Sequence, residues 1–244
     1  ILFSSLYKKI IGTNDNIKIE TDKRLVPAFN RSFGKNIFYE EGYFSNEIKR
    51  LEKFDKILYA GSLCQFFLKN KKNFSEGKYL LADDKLRKKF KKNFLKHDKI
   101  KVGLSWKSKV SIYGSLKSLQ LKDFKPLFTK NRVLFSLQYG DVKKERNLFN
   151  KNELIFFDDV DLFNDLESLM AILSNLDVFV TVSNSTAHIS AALGIKTIVI
   201  CPKKSSTYFY WNSINKKSFW YKSVKVLSLE GSISKTMEKI DKII

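Results

Sequence analysis

The sequence predicts an α/β protein of the doubly wound kind, in two lobes with parallel sheets, the first lobe incomplete. Three observations lead there. Short apolar runs such as 177–182 (DVFVTV) and 197–201 (TIVIC) are rich in β-branched residues without polar alternation, which suits strands covered on both faces. Helix-length segments separate these runs, so helix and strand alternate almost throughout. Punctuation falls at Gly12, Gly194 and Pro202, where helices or strands should stop.

In chain order, the pattern predicts a helix over 2–11, a strand over 17–20, a mostly helical stretch over 23–33, strands over 36–39 and 56–59, and a helix over 63–68. A polar connection follows over 71–84. A second series has strands over 101–106, 133–138, 153–157, 177–182, 197–201 and 224–229, with helices near 121–128, 142–149, 165–174 and 186–193. The division is a partial first lobe over 1–84 and a second over 85–244. The first lobe opens on a helix where a sheet of this type should begin with a strand. The chain also lacks an initial Met, so a fragment or processed product is expected.

A hydrophobic content of 43% is enough for a sizeable core, and no run approaches a membrane span. The opening ILFSSLYKKII is too short and wrongly flanked for a secretory signal. Cys64 and Cys201 lie far apart without metal-site spacing, as expected of free thiols in a reducing cytoplasm. The net charge of +20 raises nucleic-acid binding. Only six of the 45 basic residues are arginine, however, and the lysines are spread over the whole length, which argues against specific base reading. The densest run, 85–96 (KLRKKFKKNFLK), reads as a solvated helix face or as a patch for nucleic acid or a membrane surface. The positive field should also recruit an anionic small molecule.

The most function-like stretch is 181–194 (TVSNSTAHISAALG). It passes from a buried strand through Ser183, Asn184 and Ser185 into an Ala-rich helix. Ser and Asn are good N-caps, and the first free N–H groups of such a helix, aided by its dipole, favour an anion. Thr186 lies in the first turn and His188 about one turn in, facing the same crevice. The next strand is closed by Pro202, and in open parallel sheets ligands bind at the carboxyl ends of the strands. The same pattern also occurs in α/β proteins that bind no phosphate, with the histidine an interior one.

Several phrases in order resemble the glycosyltransferase-like domain found after tetratricopeptide repeats in bacterial proteins, a relative of heptosyltransferases in the GT-B superfamily. These are KRLVPAFNRSF (23–33) and KILYAGSL (56–63) in the first lobe. In the second they are YLLAD (79–83), VGLSWKSK (102–109), VLFSLQYGD (133–141), the stretch 161–194 and FWYKSVKV (219–226). The resemblance spans nearly the whole chain. It implies two facing Rossmann-like lobes and a nucleotide-diphospho-sugar held mainly by the second, with Ser183, Asn184, Ser185 and Thr186 at the diphosphate and His188 nearby. Where heptosyltransferases often carry Asp-Thr-Gly, this chain has Ser183, Asn184 and Ser185.

On the same analogy Gly103 and Ser105 end a strand closely, and Lys107 neutralises a phosphate or is a surface lysine. Gln138 and Gly140 follow a strand where an amide reads a base or sugar. Asp158, Asp159, Asp161 and Asp165 precede a helix; Asp161 or Asp165 contacts ribose or base, or the acids simply cap the helix. Trp211, Trp220 and Tyr221 stack on a ligand or sit in the core. The resemblance further implies a GxGDE turn upstream of Ile1, whose Asp is the proposed base. The catalytic base is therefore unassigned within the chain.

The expected function is transfer of a sugar from a nucleotide-diphospho-sugar to an unidentified acceptor hydroxyl on a glycan, lipid-linked sugar or protein, without cofactor or metal. A non-catalytic sugar-nucleotide-binding or protein-interaction module on the same fold is the alternative.

Overall fold

The computed structural model describes the chain except residues 13–15, 35, 75–76, 110–113, 148, 150–152, 202–207, 212, 215 and 230–231. Pro202 thus lies outside the described residues.

Residues 1–84 form a small unit of short elements. A 3-10 helix, Leu2–Leu6, leads into α1 (Tyr7–Ile11), and β1 (Ile19–Thr21) precedes α2 (Val26–Phe33). Then come β2 (Phe38–Glu40), α3 (Ile48–Leu51) and α4 (Leu63–Phe67). β1 and β2 pair in parallel, with Ile19 opposite Phe38. The apolar run over 56–59, expected as a strand, is irregular and exposed, with Tyr59 87% accessible. Composition favours extension there, but a strand exists only with a ladder partner, and the ladder of β1 and β2 does not reach it.

The rest of the chain builds the main sheet. After α5 (Asp84–Leu95) come β3 (Ile100–Ser105), α6 (Gly114–Lys117), β4 (Arg132–Ser136), α7 (Lys143–Arg146) and α8 (Leu166–Leu173). β5 (Val178–Val182), α9 (Ser185–Ala192) and β6 (Thr197–Cys201) follow. A hairpin of β7 (Ser213–Ile214) and β8 (Lys217–Ser218), then β9 (Val224–Ser228) and α10 (Ile233–Asp241), complete the described elements. The strand order is β4-β3-β5-β6-β9-β8-β7, the first five parallel and the hairpin antiparallel at the edge.

Two expected elements are reduced. The stretch over 153–157 makes only one bridge, Ile155 beside Phe135, so the sheet effectively ends at β4. The helix expected over 121–128 is a 3-10 helix, Leu121–Leu127, because Pro126 has no N–H to give to an α-helical ladder. The helix expected over 142–149 is the single turn of α7; residue 148 lies outside the described residues.

Strand periodicity divides the core between the two sheet faces. Val102, Leu104, Val180, Ile198 and Ile200 pack on one face against Phe124 and Leu127 of the 3-10 helix and Met237 and Ile240 of α10. Phe135, Phe179, Val199 and Val226 pack on the other with α5, α8 and α9. The apolar residues of 1–84, including Leu6, Tyr7 and Phe29, join that same second cluster. Arg31 of α2 adds an ion pair to Glu167 of α8, with both guanidinium nitrogens bonded to the carboxylate at 2.6 and 2.9 Å. No described helix is long and apolar enough to cross a membrane.

Gly103 faces the second cluster. A Cβ there would stand 2.4 Å from Leu176 Cδ1, 2.7 Å from Leu137 Cδ1 and 3.0 Å from Phe179 Cδ2. Its place in the strand is therefore set by packing rather than by close approach to a ligand. Gly103→Ala should lower stability by about 1–3 kcal/mol through overpacking. Denaturant titration checks this, and an unchanged midpoint at constant slope would contradict it.

Candidate functional site

β3, β4 and β5 run in register, Leu104 opposite both Ser136 and Val180, so the chain leaves three adjacent strands at one level. One amide ties these exits together. Gln138 Oε1 accepts from Ser105 Oγ at 3.0 Å, from the Trp106 N–H at 2.8 Å and from the Lys107 N–H at 2.7 Å. Its Nε2 donates to the Tyr139 carbonyl at 2.9 Å. Asn184 joins from β5, its Nδ2 donating to Ser105 Oγ at 2.9 Å and Thr181 Oγ1 at 3.2 Å. Ser105, Gln138 and Asn184 are all buried. The structure thus brings together three of the expected site residues, but as a mutual brace: the amide of Gln138 is occupied by protein rather than held out for a base or sugar.

The brace sets the start of α9. Asn184 is the N-cap in extended conformation, its Oδ1 accepting the Ala187 N–H at 3.0 Å. The N–H groups of Ser185 and Thr186 remain without an acceptor among the described residues, as expected of the first helical positions. Ser185 is exposed, whereas Ser183 is buried with its Oγ accepting from Trp211 Nε1 at 2.9 Å. A cavity of about 330 Å³ opens at this helix start, lined by Ser185, Thr186 and His188 from α9 and by Asp22, Arg24 and Leu2 from the first segment. It lies at the carboxyl ends of the strands. A shallower depression of about 390 Å³ lies at the other end of the sheet, at the amino ends of β3 and β5 near Lys101 and Val178.

His188 lines the cavity, half-buried, with its ring stacked on Trp211 at 4.5 Å and 17° and edge-on to Tyr210 at 4.9 Å. Nδ1 lies 2.8 Å from Tyr221 Oη. Removal from water, with nearby positive charge including Lys117 adding to it, pushes the imidazole down to about 3, so the ring is neutral. Trp211, Trp220 and Tyr221 are buried, which places them in the core. Trp211 touches the site through His188 and Ser183, and Tyr221 through His188.

The remaining expected residues fall around the rim. Lys107 forms an ion pair with Glu145 of α7, so its charge is matched within the protein. Gly140 adopts φ +88° and lies against the Lys109 side chain. Asp165 caps α8 by accepting the Ser168 N–H at 2.9 Å. Asp161 accepts the N–H groups of Phe163 and Asn164 at 3.0 and 3.1 Å. A bond from the Asn164 side chain, with these two backbone bonds, holds the Asp161 carboxyl below the usual carboxylate range. Asp158 pairs with Arg146. For Asp158, Asp161 and Asp165 the structure therefore supplies partners within the protein.

Sequence reading missed Asp22, Arg24, Tyr139 and Phe163, which line the cavity. Arg24 grips Asp22, donates to the Phe163 carbonyl at 2.8 Å and lies 5.1 Å from that ring. The Arg24 side-chain bond holds the Asp22 carboxyl below its ordinary value. The contact joins residues 139 positions apart. The only local signal was an Asp ahead of a basic residue at a helix start.

No family model matches the chain. Protein FlbA from Caulobacter vibrioides is 26% identical across 94% of the chain, which spans 41% of that protein's length. Among solved structures, the E. coli ADP-heptose LPS heptosyltransferase II is similar with a TM-score of 0.49 and 11% identity, covering 96% of this chain and 66% of that one. A family 9 glycosyl transferase from Veillonella parvula gives 0.45 and 14%, covering 78% and 54%. The C-terminal domain of a group 1 glycosyl transferase from Francisella tularensis gives 0.41 and 11%, covering 66% and 83%.

Asn184→Ala removes both a cap and a buried partner, and should cost about 1–3 kcal/mol in chemical denaturation. A loss of a few tenths would show that the brace contributes little. His188 supplies a pH signature. Its folded value lies below the ordinary 6.5, so its contribution to stability is complete above 6.5 and is lost as pH falls toward 3. Wild-type melting temperature should therefore fall more steeply than that of His188→Asn across this window; parallel curves would contradict a neutral, desolvated ring.

Proposed function

We propose that the chain is a glycosyltransferase that moves a sugar from a nucleotide-diphospho-sugar to an acceptor hydroxyl. The observation that carries this reading is the cavity at the start of α9, where the N–H groups of Ser185 and Thr186 and the helix dipole meet a space closed on its other side by Asp22, Arg24 and Leu2. A departing diphosphate gathers negative charge, and fixed N–H donors stabilise that charge without reorganising. The phrases shared in order with GT-B glycosyltransferases support the same reading, as does the net charge of +20, which attracts a polyanionic donor. The nucleotide sugar is a substrate, and the reading assigns neither cofactor nor metal. The acceptor is a glycan, lipid-linked sugar or protein in the cytoplasm, and nucleic acid has no specific role.

One observation favours a non-catalytic binding module instead. Asp22 is the one carboxylate lining the cavity among the described residues, and Arg24 holds it below its ordinary value, opposite to the tuning of a general base. Donor turnover with binding supports the transferase; binding without turnover in the presence of candidate acceptors supports the module.

Ser185→Pro tests the phosphate site directly. Proline is tolerated at the first helical position, and Asn184 already has the extended conformation that a following proline requires, so the change deletes one N–H while leaving α9 intact. A nucleoside diphosphate at about a hundred times its dissociation constant should stabilise the wild type by about 2.7 kcal/mol. The variant, melting normally alone, should bind about tenfold more weakly, the loss of one charge-assisted hydrogen bond. Equal binding by variant and wild type would remove the site from this turn.

A further inference from the structure

Beyond β6 the chain turns aromatic. Residues 208–211 read Tyr-Phe-Tyr-Trp, and the last three form a single 3-10 turn, Phe209–Trp211. One end of this turn is anchored. Trp211 is fully buried, with its Nε1 donating to Ser183 Oγ at 2.9 Å and its backbone N–H to the Tyr208 carbonyl at 2.8 Å. The Tyr208 and Tyr210 rings stack within 3° of parallel at 5.2 Å, and Lys117 Nζ lies 4.0 Å from the centre of the Tyr208 ring. Phe209 does the opposite: it is 58% exposed, with its ring 5.1 Å from that of Tyr210. Tyr210 in turn lies 4.9 Å from His188, which lines the cavity. The exposed ring is therefore within about 10 Å of the imidazole. Single exposed apolar residues are ordinary on a protein surface. Phe209 differs in standing on an anchored aromatic turn that reaches the cavity through Tyr210.

We propose that Phe209 is the platform on which a sugar ring of the acceptor stacks, so that the acceptor of the transfer is a carbohydrate. The role of acceptor rests on the glycosyltransferase reading; the sugar-binding platform itself does not. A pyranose has polar edges, where its hydroxyls lie, and faces made of C–H bonds. Those C–H groups carry a slight positive charge and meet the negative face of an aromatic ring, while the stacked area leaves water. The serine or threonine side chain of a protein acceptor offers no such face. Size points the same way: one aromatic side chain offers about 150–250 Å², whereas a stable protein interface buries on the order of 1,600 Å². Rigidity adds to the fit. With the turn pinned by Trp211 and the neighbouring rings packed, little freedom is lost when a ligand lands on Phe209. Phe209 is not among the residues that line the cavity, so the platform and the donor space adjoin through His188 and Tyr210 without coinciding.

Saturation-transfer NMR with the aromatic protons irradiated reads such stacking directly, on the 244-residue chain without nucleotide. The probes are methyl β-glucoside, methyl β-galactoside and methyl β-N-acetylglucosaminide, with sorbitol as a polyol that has no ring face. At least one glycoside should receive saturation at its ring C–H protons, and sorbitol none. Phe209→Ala should then weaken that glycoside about fivefold, the loss of one stacked ring, while Phe209→Tyr, which keeps the aromatic face, should bind within about twofold of the wild type. Tyr59→Ala removes an 87% exposed ring within residues 1–84 and serves as the control, with binding unchanged. Because Phe209 is exposed, both of its variants should melt as the wild type does, which separates a lost contact from a lost fold. Silence of all three glycosides at tens of millimolar, no loss in Phe209→Ala, or an equal loss in Tyr59→Ala overturns the proposal. The reading beneath it fails in a different way. A wild type that binds a glycoside at Phe209 but no nucleoside diphosphate removes the transferase reading, and with it the role of acceptor, while the sugar platform stands. The reverse pattern leaves that reading in place and removes the platform.

Discussion

Three parallel strands must end at one level for α9 to start where it does, and a single buried amide enforces that. Gln138 accepts two backbone N–H groups and a hydroxyl from the strand beside it, and Ser105 passes the connection to Asn184 on the far side. Gln138, Ser105, Asn184 and Trp106 are all buried, so leaving one of their polar groups unpaired costs about 1–3 kcal/mol. The brace is therefore satisfied as a whole or unfavourable as a whole. Because Asn184 is at once a member of the brace and the N-cap of α9, the position of the helix start, and of the two N–H groups facing the cavity, follows from the ends of β3 and β4.

Charge around the cavity is largely neutralised locally. Lys107 meets Glu145, Arg24 meets Asp22, and Arg31 meets Glu167. His188 is kept neutral by removal from water. What faces the cavity from α9 is a dipolar array: two N–H donors at the helix start and an imidazole one turn later. Such an array discriminates by hydrogen-bond direction more than by net charge, while the lysine-rich exterior supplies the long-range field. The two sources of attraction differ in reach. Salt should weaken the outer one far more than the inner one.

Residues 1–84 close the cavity without having a core of their own apart from the main sheet. Their two three-residue strands bury too little to stand alone, and Leu6, Tyr7 and Phe29 share a cluster with α8 and α9. The hydrogen bond from Arg24 to Phe163 and the pair between Arg31 and Glu167 fix this segment against the element that carries the far wall. Tyr79 extends the same tie inward. It bonds the Ile1 carbonyl, and its ring lies nearly parallel to that of Tyr221, which in turn contacts the His188 imidazole.

By itself the sequence determined the alternation of helix and strand, the parallel core and the presence of a polar cap at the start of α9. Runs such as 177–182 and 197–201 read as buried strands and form them, and the Ser183, Asn184, Ser185 turn offered the helix a cap, which the structure assigns to Asn184. It also placed Asp165 at a helix start, where capping was already one of the two readings. Local sequence could not decide the stretch over 56–59, because apolar composition does not provide a ladder partner. Nor could it show that Gln138 is used up by Ser105 and two N–H groups, about thirty residues away, or that Arg24 would reach Phe163. Those outcomes depend on which strands become neighbours. Hydrogen bonds and charge pairs act over a few ångströms in space, and only the folded chain brings residues 24 and 163, or 188 and 221, within that distance.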